Sequence, residues 1–150
     1  MEFAFKLRPA TVEDVGVIRV LIVQARINPT GLDWRRFVVA EDGDGNVIGC
    51  GQVKPHRDGS HELASIVVEE AWRGQGVARA MIEHLLAGHT GTLYLMCRSS
   101  LGPLYEKFGF SNIEADEMPK YFRRVSQLAG LADMLRKDGE TLLVMQRGQA

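Results

Sequence analysis

Arg73, Gly74, Gln75, Gly76, Val77 and Ala78 stand together where a β-branched run, "SIVV", gives way to an apolar pattern with helical spacing. Two glycines one residue apart, just before a helix, suit anion binding. The first amides of a helix lack intrahelical acceptors, and the helix dipole places about half a positive charge at that end. Successive free amides there bind a phosphate with little help from side chains. Glycine also lets the backbone approach a ligand with no Cβ in the way. The same composition suits a plain strand-to-helix turn, and loop composition alone leaves both readings standing.

Several other chemistries are excluded. There is no GxxxxGK[ST] run, so a Walker nucleotide site is absent, and no GxGxxG after a short first βα unit, so a dinucleotide fold is not supported. "DGDGN" at 42–46 begins like a calcium loop, yet Val47 stands where glycine is required and Val53 where the bidentate glutamate belongs. It reads as a hairpin turn. His56 and His61 are too isolated for a zinc site, and no metal is expected. "WRR" and "FRR" are basic pairs without interleaved aromatics, and the formal net charge is −1, so nucleic acid is not an expected partner. Asn28 is followed by proline and cannot accept a glycan.

The elements that must position these residues follow from periodicity. Residues 3–8 read as a strand ending at Pro9. Thr11 is an N-cap with Asp14 at the third helical position, and Val15, Ile18, Ile22 and Ala25 form a helical stripe. "RINPTGLDWRR" is a loop or broken helix. "FVVAE" and "NVIGCGQVK" form a hairpin through "DGDG", and "HELASIVV" pairs back through the turn at "RDGS". From Val77 the period changes: Val77, Ala78, Met81, Ile82, Leu85 and Leu86 share one helix face, stopped at Gly88. "TLYLMC" is a buried strand, "SSLGPLYEKFG" a short helix ended by Gly109, and "SNIEA" a weak strand. Residues 119–136 form a helix whose stripe of Phe122, Val125, Leu128, Ala132 and Leu135 is expected in the core. "TLLVMQ" is a final strand. The order β α (loop) β β β α β α β α β is an α+β or mixed α/β plan.

The 150 residues are expected to form one domain, burying roughly 68–70% of the unfolded surface without a metal or disulfide staple. Apolar residues make up 45% and charged residues 25%, ordinary for a globular protein. Cys50 and Cys97 lie in apolar strands with no CxxC, which argues for reduced thiols. Neither an 18-residue apolar run nor the apolar core of a signal peptide is present, so a cytoplasmic location without membrane association is expected.

Residues 73–78 match in order the "[QR]-x-x-G-x-[GA]" loop of the Gcn5-related N-acetyltransferase (GNAT) superfamily, and "LYEKFGF" at 104–110 resembles that family's "(F/L)YEKxGF" helix. The element order is also similar to the family's over nearly the whole chain. The resemblance implies a central, mostly antiparallel sheet of six to seven strands flanked by helices and splayed between the fourth and fifth. It implies acetyl-CoA as co-substrate, with the amides of Arg73, Gly74, Gln75, Gly76, Val77 and Ala78 on the pyrophosphate. The strand edge at Ile66, Val67 and Val68 would pair with the pantetheine, and an amide near Ile66 would polarise the thioester carbonyl.

By the same resemblance Tyr105 stands where the family's general acid protonates the departing thiolate, and Glu62 where many members place a base. Tyr105 also suits simple packing against the coenzyme, and Glu62 a solvated strand end. His56 and His61 would share the base's task, since imidazole titrates near neutral pH. The chain departs from the family at "CRSSLG", where many members have an asparagine, so Arg98, Ser99 or Ser100 would substitute or the contact is missing. The helix at 119–136 is a second departure, with Arg123 and Arg124 facing the acceptor or a partner subunit if not merely solvent. By the resemblance, "RINPTGLDWRRF" corresponds to the family's variable acceptor-binding region, which makes Arg26, Asn28, Asp33, Trp34 and Arg35 candidate substrate contacts; the same residues suit a solvated loop that Trp34 anchors to the core.

The implied function is direct, ternary-complex acetyl transfer to the primary amine of a small molecule or amino acid. The alternatives are a non-catalytic acyl-CoA-binding sensor or a protein N-acetyltransferase. The acceptor's identity and homodimer formation are open at this level.

Overall fold

The computed structural model describes residues 4–133 and 138–148. Its strands are β1 (Phe5–Pro9), β2 (Phe37–Asp42), β3 (Val47–Pro55), β4 (His61–Val68), β5 (Leu93–Arg98), β6 (Ser111–Asn112) and β7 (Leu142–Arg147). The α-helices are α1 (Val15–Gln24), α2 (Val77–Ala87), α3 (Gly102–Glu106) and α4 (Lys120–Asp133). Strand order in the sheet is β1-β2-β3-β4-β5-β7-β6. Neighbours run antiparallel at β1–β2, β2–β3, β5–β7 and β6–β7, and parallel at β4–β5. The mostly antiparallel, helix-flanked α+β plan is therefore the observed one. Two compact units emerge, residues 1–54 with 63–90, and 55–62 with 91–150.

In the first unit Phe37, Val38, Val39 and Ala40 are all buried, because both faces of β2 are covered. Phe37 and Val39 pack with Ile18, Leu21 and Ile22 of α1. Val38 and Ala40 pack with Val77 and Met81 of α2. The pleat sends successive side chains to opposite faces, so this split is what a strand sandwiched between two helices requires.

Arg8 of β1 ties this unit together. Its guanidinium donates to both carboxylate oxygens of Asp14, at 2.8 and 3.1 Å, and to Glu41 at 2.9 Å. Asp14 also accepts from the Thr11 amide at 2.7 Å, which anchors the start of the helix as the Thr11–Asp14 spacing implied. A 3-10 turn at Val12–Asp14 precedes α1.

In the second unit β5 and β7 carry α4 through Phe122, which is fully buried in a cluster with Val144, Met118 and Ile113. Burying a phenylalanine contributes about 2–3 kcal/mol. The N-terminal turn of α4 is held from a distance, since the Tyr121 amide donates to Asp58 Oδ2 at 3.0 Å.

The stripe on α4 is only partly a core stripe. Phe122 is buried and Val125 half-buried, but Leu128 is 65% exposed. Helical spacing aligns residues on one face without saying how far the covering layer extends. The expected end of this helix at 136, including Leu135, lies outside the described residues, as does the burial of Ala132.

Candidate functional site

The first candidate centre lies in the first unit, where β4 ends and α2 begins. Gly74 and Gly76 have φ of +80° and +84°, the left-handed region that side chains with a Cβ adopt only at a cost. A Cβ built at either meets nothing within 4 Å, so the conformation itself calls for glycine, not crowding within the chain. Gly76 is the N-cap of α2, and its carbonyl accepts from the Ala80 amide at 3.0 Å. Among the described residues the amides of 74–78 have no protein acceptor, whereas the Arg73 amide donates to Glu70 O at 3.2 Å. Five amides of the expected six are thus available at a positive helix end.

The side chains around this loop serve its shape. Arg73 Nε donates to Val68 O at 3.2 Å, and Gln75 Nε2 to Ala71 O at 3.4 Å. Val77 is buried at 1% exposure, so it offers a ligand only its backbone. Ala78 is half-buried. Val67, Val68 and Arg73 line an open cleft of about 700 Å³ together with Leu21, Gln24 and Ala25. Ile66 and Val68 pack against the α2-side cluster, while Val67 belongs to the α1-side cluster. Free amides at a positive helix end beside an open cleft can take an anionic group such as a phosphate.

β4 holds a feature that its sequence did not announce. Ser65 has φ +60° within the strand, costing about 1–2 kcal/mol. Gln52 Nε2 donates to Ser65 Oγ at 2.9 Å, and Cys50 Sγ to Ser65 O at 3.6 Å. Gln52 is fully buried, and its Oε1 has no partner among the described residues.

The second centre lies in the second unit and is built on Glu62. This residue is 7% exposed, and its Oε1 lies 2.8 Å from His56 Nε2. Glu62 is therefore not a solvated strand end. It also pairs with Tyr94 across the parallel β4–β5 contact, the one register pair between these strands among the described residues. The imidazole of His56 stacks on the Tyr121 ring, centroids 3.7 Å apart and planes 18° off parallel, and meets the edge of Phe122 at 5.5 Å. Burial, aided by the Glu62 charge, pushes the Tyr121 phenol above its ordinary range. His61 is half-buried and opens β4 beside Glu62. Neither Tyr121 nor the Asp58 tether was visible in sequence, because both join segments about sixty residues apart.

Tyr105 sits on the five-residue α3, half-buried, with its ring edge-on to Phe110 at 6.2 Å. Burial pushes its phenol up, and the nearby Cys97 adds to this, so the hydroxyl keeps its proton well past neutral pH. Gly109, at φ +91°, ends this helical turn, and Arg147 Nε donates to Phe108 O at 3.0 Å. Ser99 Oγ accepts from the Thr141 amide at 3.1 Å and Ser100 Oγ donates to Glu140 at 3.0 Å, so these hydroxyls fasten the chain before β7. Arg98 is exposed.

The remaining candidates are engaged locally. Asn28 Oδ1 accepts from the amide and hydroxyl of Thr30, and Asp33 accepts from the Arg35 amide. Arg35 lies 5.4 Å from the Trp34 ring, and Arg26 is exposed with φ +58°. Arg123 donates to Ala115 O and Met118 O, which makes it a clamp on the turn before α4, while Arg124 is exposed. Asp42 accepts from the amides of Asp44 and Asn46, confirming the hairpin turn at 42–46. Both cysteines are free and buried; burial pushes the Cys50 thiol up to about 12 and raises that of Cys97. Among the described residues no three His, Cys, Asp or Glu side chains gather as a metal-ligand set, and no helix is long and apolar enough to cross a membrane.

Comparison with known proteins places this geometry. The family model described as "Acetyltransferase (GNAT) domain" matches residues 33–112, more than half of the chain. N-acetylglutamate synthase from Neisseria gonorrhoeae, solved with coenzyme A and N-acetyl-glutamate, superposes with a TM-score of 0.72 at 19% identity. That similarity covers 100% of this chain but 36% of the other, so the chain spans about a third of that enzyme. Rv2747 from Mycobacterium tuberculosis, in a complex that includes CoA, gives a TM-score of 0.71 at 22% identity over 97% of this chain and 99% of that one. A protein from Corynebacterium glutamicum described as histone acetyltransferase HPA2 and related acetyltransferase gives 0.69 at 20% identity, over 99% and 98%. At these identities the similarity speaks for the fold.

Proposed function

Because the chain belongs to the GNAT acetyltransferase family, we propose that it transfers the acetyl group of acetyl-CoA directly to the primary amine of a small molecule or amino acid. The observation that carries this reading is the buried Glu62 carboxylate bonded to His56, a proton-accepting group of the kind amine activation needs. That favours catalysis over acyl-CoA binding alone.

Acetyl-CoA supplies the acetyl group as a thioester, whose carbonyl carbon the neutral amine attacks. The amides of residues 74–78 hold the pyrophosphate, with the Ile66, Val67 and Val68 edge along the pantetheine. Glu62 takes the proton from the arriving ammonium. The Ile66 amide donates to the carbonyl oxygen as negative charge develops there. Tyr105 gives its proton to the departing sulfur as the C–S bond breaks and regains one from the nitrogen, which sheds its second proton as the amide forms; its burial-raised phenol suits this role at neutral pH. Burial raises both cysteine thiols, the wrong direction for a nucleophile, which favours direct attack over an acyl-enzyme. The same free, buried thiols support a reducing, cytoplasmic setting.

The acetylated amino acid in the N. gonorrhoeae complex supports an amino-acid-sized acceptor. Acetyl-CoA turnover, followed by thiol release, tests the reading against a panel of amino acids, polyamines, aminoglycosides and a lysine peptide. Turnover with small amines is expected and should fall at least tenfold in Glu62→Gln. Turnover only with the peptide would favour a protein acetyltransferase, and coenzyme A binding with no turnover on any amine would favour a sensor.

A further inference from the structure

Glu62 does not stand alone: it is the inner end of a three-residue chain that runs through His56 to Tyr121. His56 Nε2 lies 2.8 Å from Glu62 Oε1, and a carboxylate ionised to act as a base accepts, which makes the imidazole Nε2 the donor. The side chains of both are less than a tenth exposed. An imidazole turns freely about its terminal torsion unless something holds its plane. Here the Tyr121 ring lies over it at 3.7 Å, nearly parallel, and Phe122 closes its edge. Tyr121 is itself tied down, because its amide donates to Asp58 in the turn that also carries His56. That turn is stiffened in the same way: the Ser60 amide and hydroxyl donate to Asp58, and the His56 amide donates to Ser60 O.

We infer that Tyr121 and His56 are positioning residues for the Glu62 base, and that α4 is present in this chain to supply that clamp. The inference rests on the proposed role of Glu62. α4 is not simply a core helix, since among the described residues of its apolar stripe only Phe122 is fully buried and Leu128 faces solvent. Its first turn, by contrast, supplies Tyr121, Phe122 and the amide bound by Asp58, all directed at the His56 turn. Among the described residues the charged and titratable groups facing His56 are Glu62 from β4, Asp58 from its own turn and Tyr121 from α4. Tyr94 of β5 stands one ring further away, against Phe122 at 5.2 Å.

A hydrogen bond to an ionised carboxylate favours the ionised form. Releasing His56 removes that support from the base, so the acid limb of the rate profile is expected to move to higher pH. The test uses the full chain with the panel amine that gives the highest turnover, comparing Tyr121→Phe, Tyr121→Leu and His56→Asn. Tyr121→Phe keeps the stacked ring and should stay within about twofold of the parent. Tyr121→Leu and His56→Asn should lower kcat/KM for the amine about tenfold and shift the acid limb to higher pH by about half a unit or more, with KM for acetyl-CoA unchanged. Nitrogen NMR of the imidazoles gives a readout independent of turnover: the Nε2–H form of His56 should be well defined in the parent and Tyr121→Phe, and averaged between tautomers in Tyr121→Leu. An unshifted acid limb in His56→Asn, which leaves α4 untouched, would overturn the inference even if Tyr121→Leu fails to fold. Normal turnover in Glu62→Gln would instead remove the base reading on which the clamp depends.

Discussion

Replacing Gly76 with alanine separates a ligand-binding loop from a mere turn. At φ +84° an L-residue is strained by about 1–2 kcal/mol, and no clash adds to this because the new Cβ meets nothing within 4 Å. For a chain of this length each kcal/mol lowers Tm by about 2–4 °C, so a fall of roughly 2–8 °C is expected. Gly45 supplies the control. It has the same φ of +84° and equally open surroundings, but sits in the 42–46 hairpin turn. Gly45→Ala should therefore show a similar thermal loss. The two variants should part on coenzyme A. If strain at Gly76 turns one of the 74–78 amides away, a hydrogen bond to a charged group worth about 1.5–3 kcal/mol is lost. Affinity would then weaken roughly 10- to 100-fold, since about 1.4 kcal/mol is tenfold. Titration calorimetry with coenzyme A, alongside thermal melts of both variants, decides the matter. Equal affinities in Gly76→Ala and Gly45→Ala would return the loop to a strand-to-helix turn and withdraw the pyrophosphate assignment.

Tyr105→Phe should cut kcat about 100-fold or more while coenzyme A affinity changes little, and an unchanged kcat would end its assignment as the acid. Because burial raises this phenol, the rate should hold on the alkaline side to at least the ordinary tyrosine value near 10 before falling, as a pH–rate series would show. Asp14 is held below its ordinary carboxylate value of 3.8 first of all by its hydrogen bonds from Arg8. Its contribution is therefore full above that value and lost as pH falls through the lower folded value; Asp14→Asn should cost about 1.5–3 kcal/mol in urea melts at pH 7, a difference that narrows below pH 4. Gln52→Leu removes an unpartnered buried oxygen together with the bond to Ser65, and the two effects should nearly offset to within about 1 kcal/mol. A loss above about 3 kcal/mol in the same melts would mean that the Gln52 amide is what holds Ser65 at φ +60°.

Much of this protein is local and was therefore legible. The strand read at "HELASIVV" is β4 residue for residue, and the helical face of Val77, Met81 and Ile82 is the buried face of α2. The glycines of the 73–78 loop marked a strand-to-helix turn in the sequence, while their positive φ is a property of the folded backbone. The capping pair Thr11 and Asp14 spans only three positions, and it too was readable, though its tie to Arg8 was not. What the tertiary structure decided are contacts that join distant segments. Leu128 belongs to a helical stripe yet faces solvent, because a stripe records alignment and not coverage. Ser65 takes a left-handed turn inside a strand that its own sequence would keep regular, against the buried amide of Gln52 thirteen residues away. Glu62 was readable as a carboxylate near the start of a strand, but its burial, its bond to His56 and the ring of Tyr121 over that imidazole follow from packing. Local periodicity encodes which residues share a face. Which faces meet, and so which side chains share a proton, depends on chain segments whose closeness no short window of sequence contains.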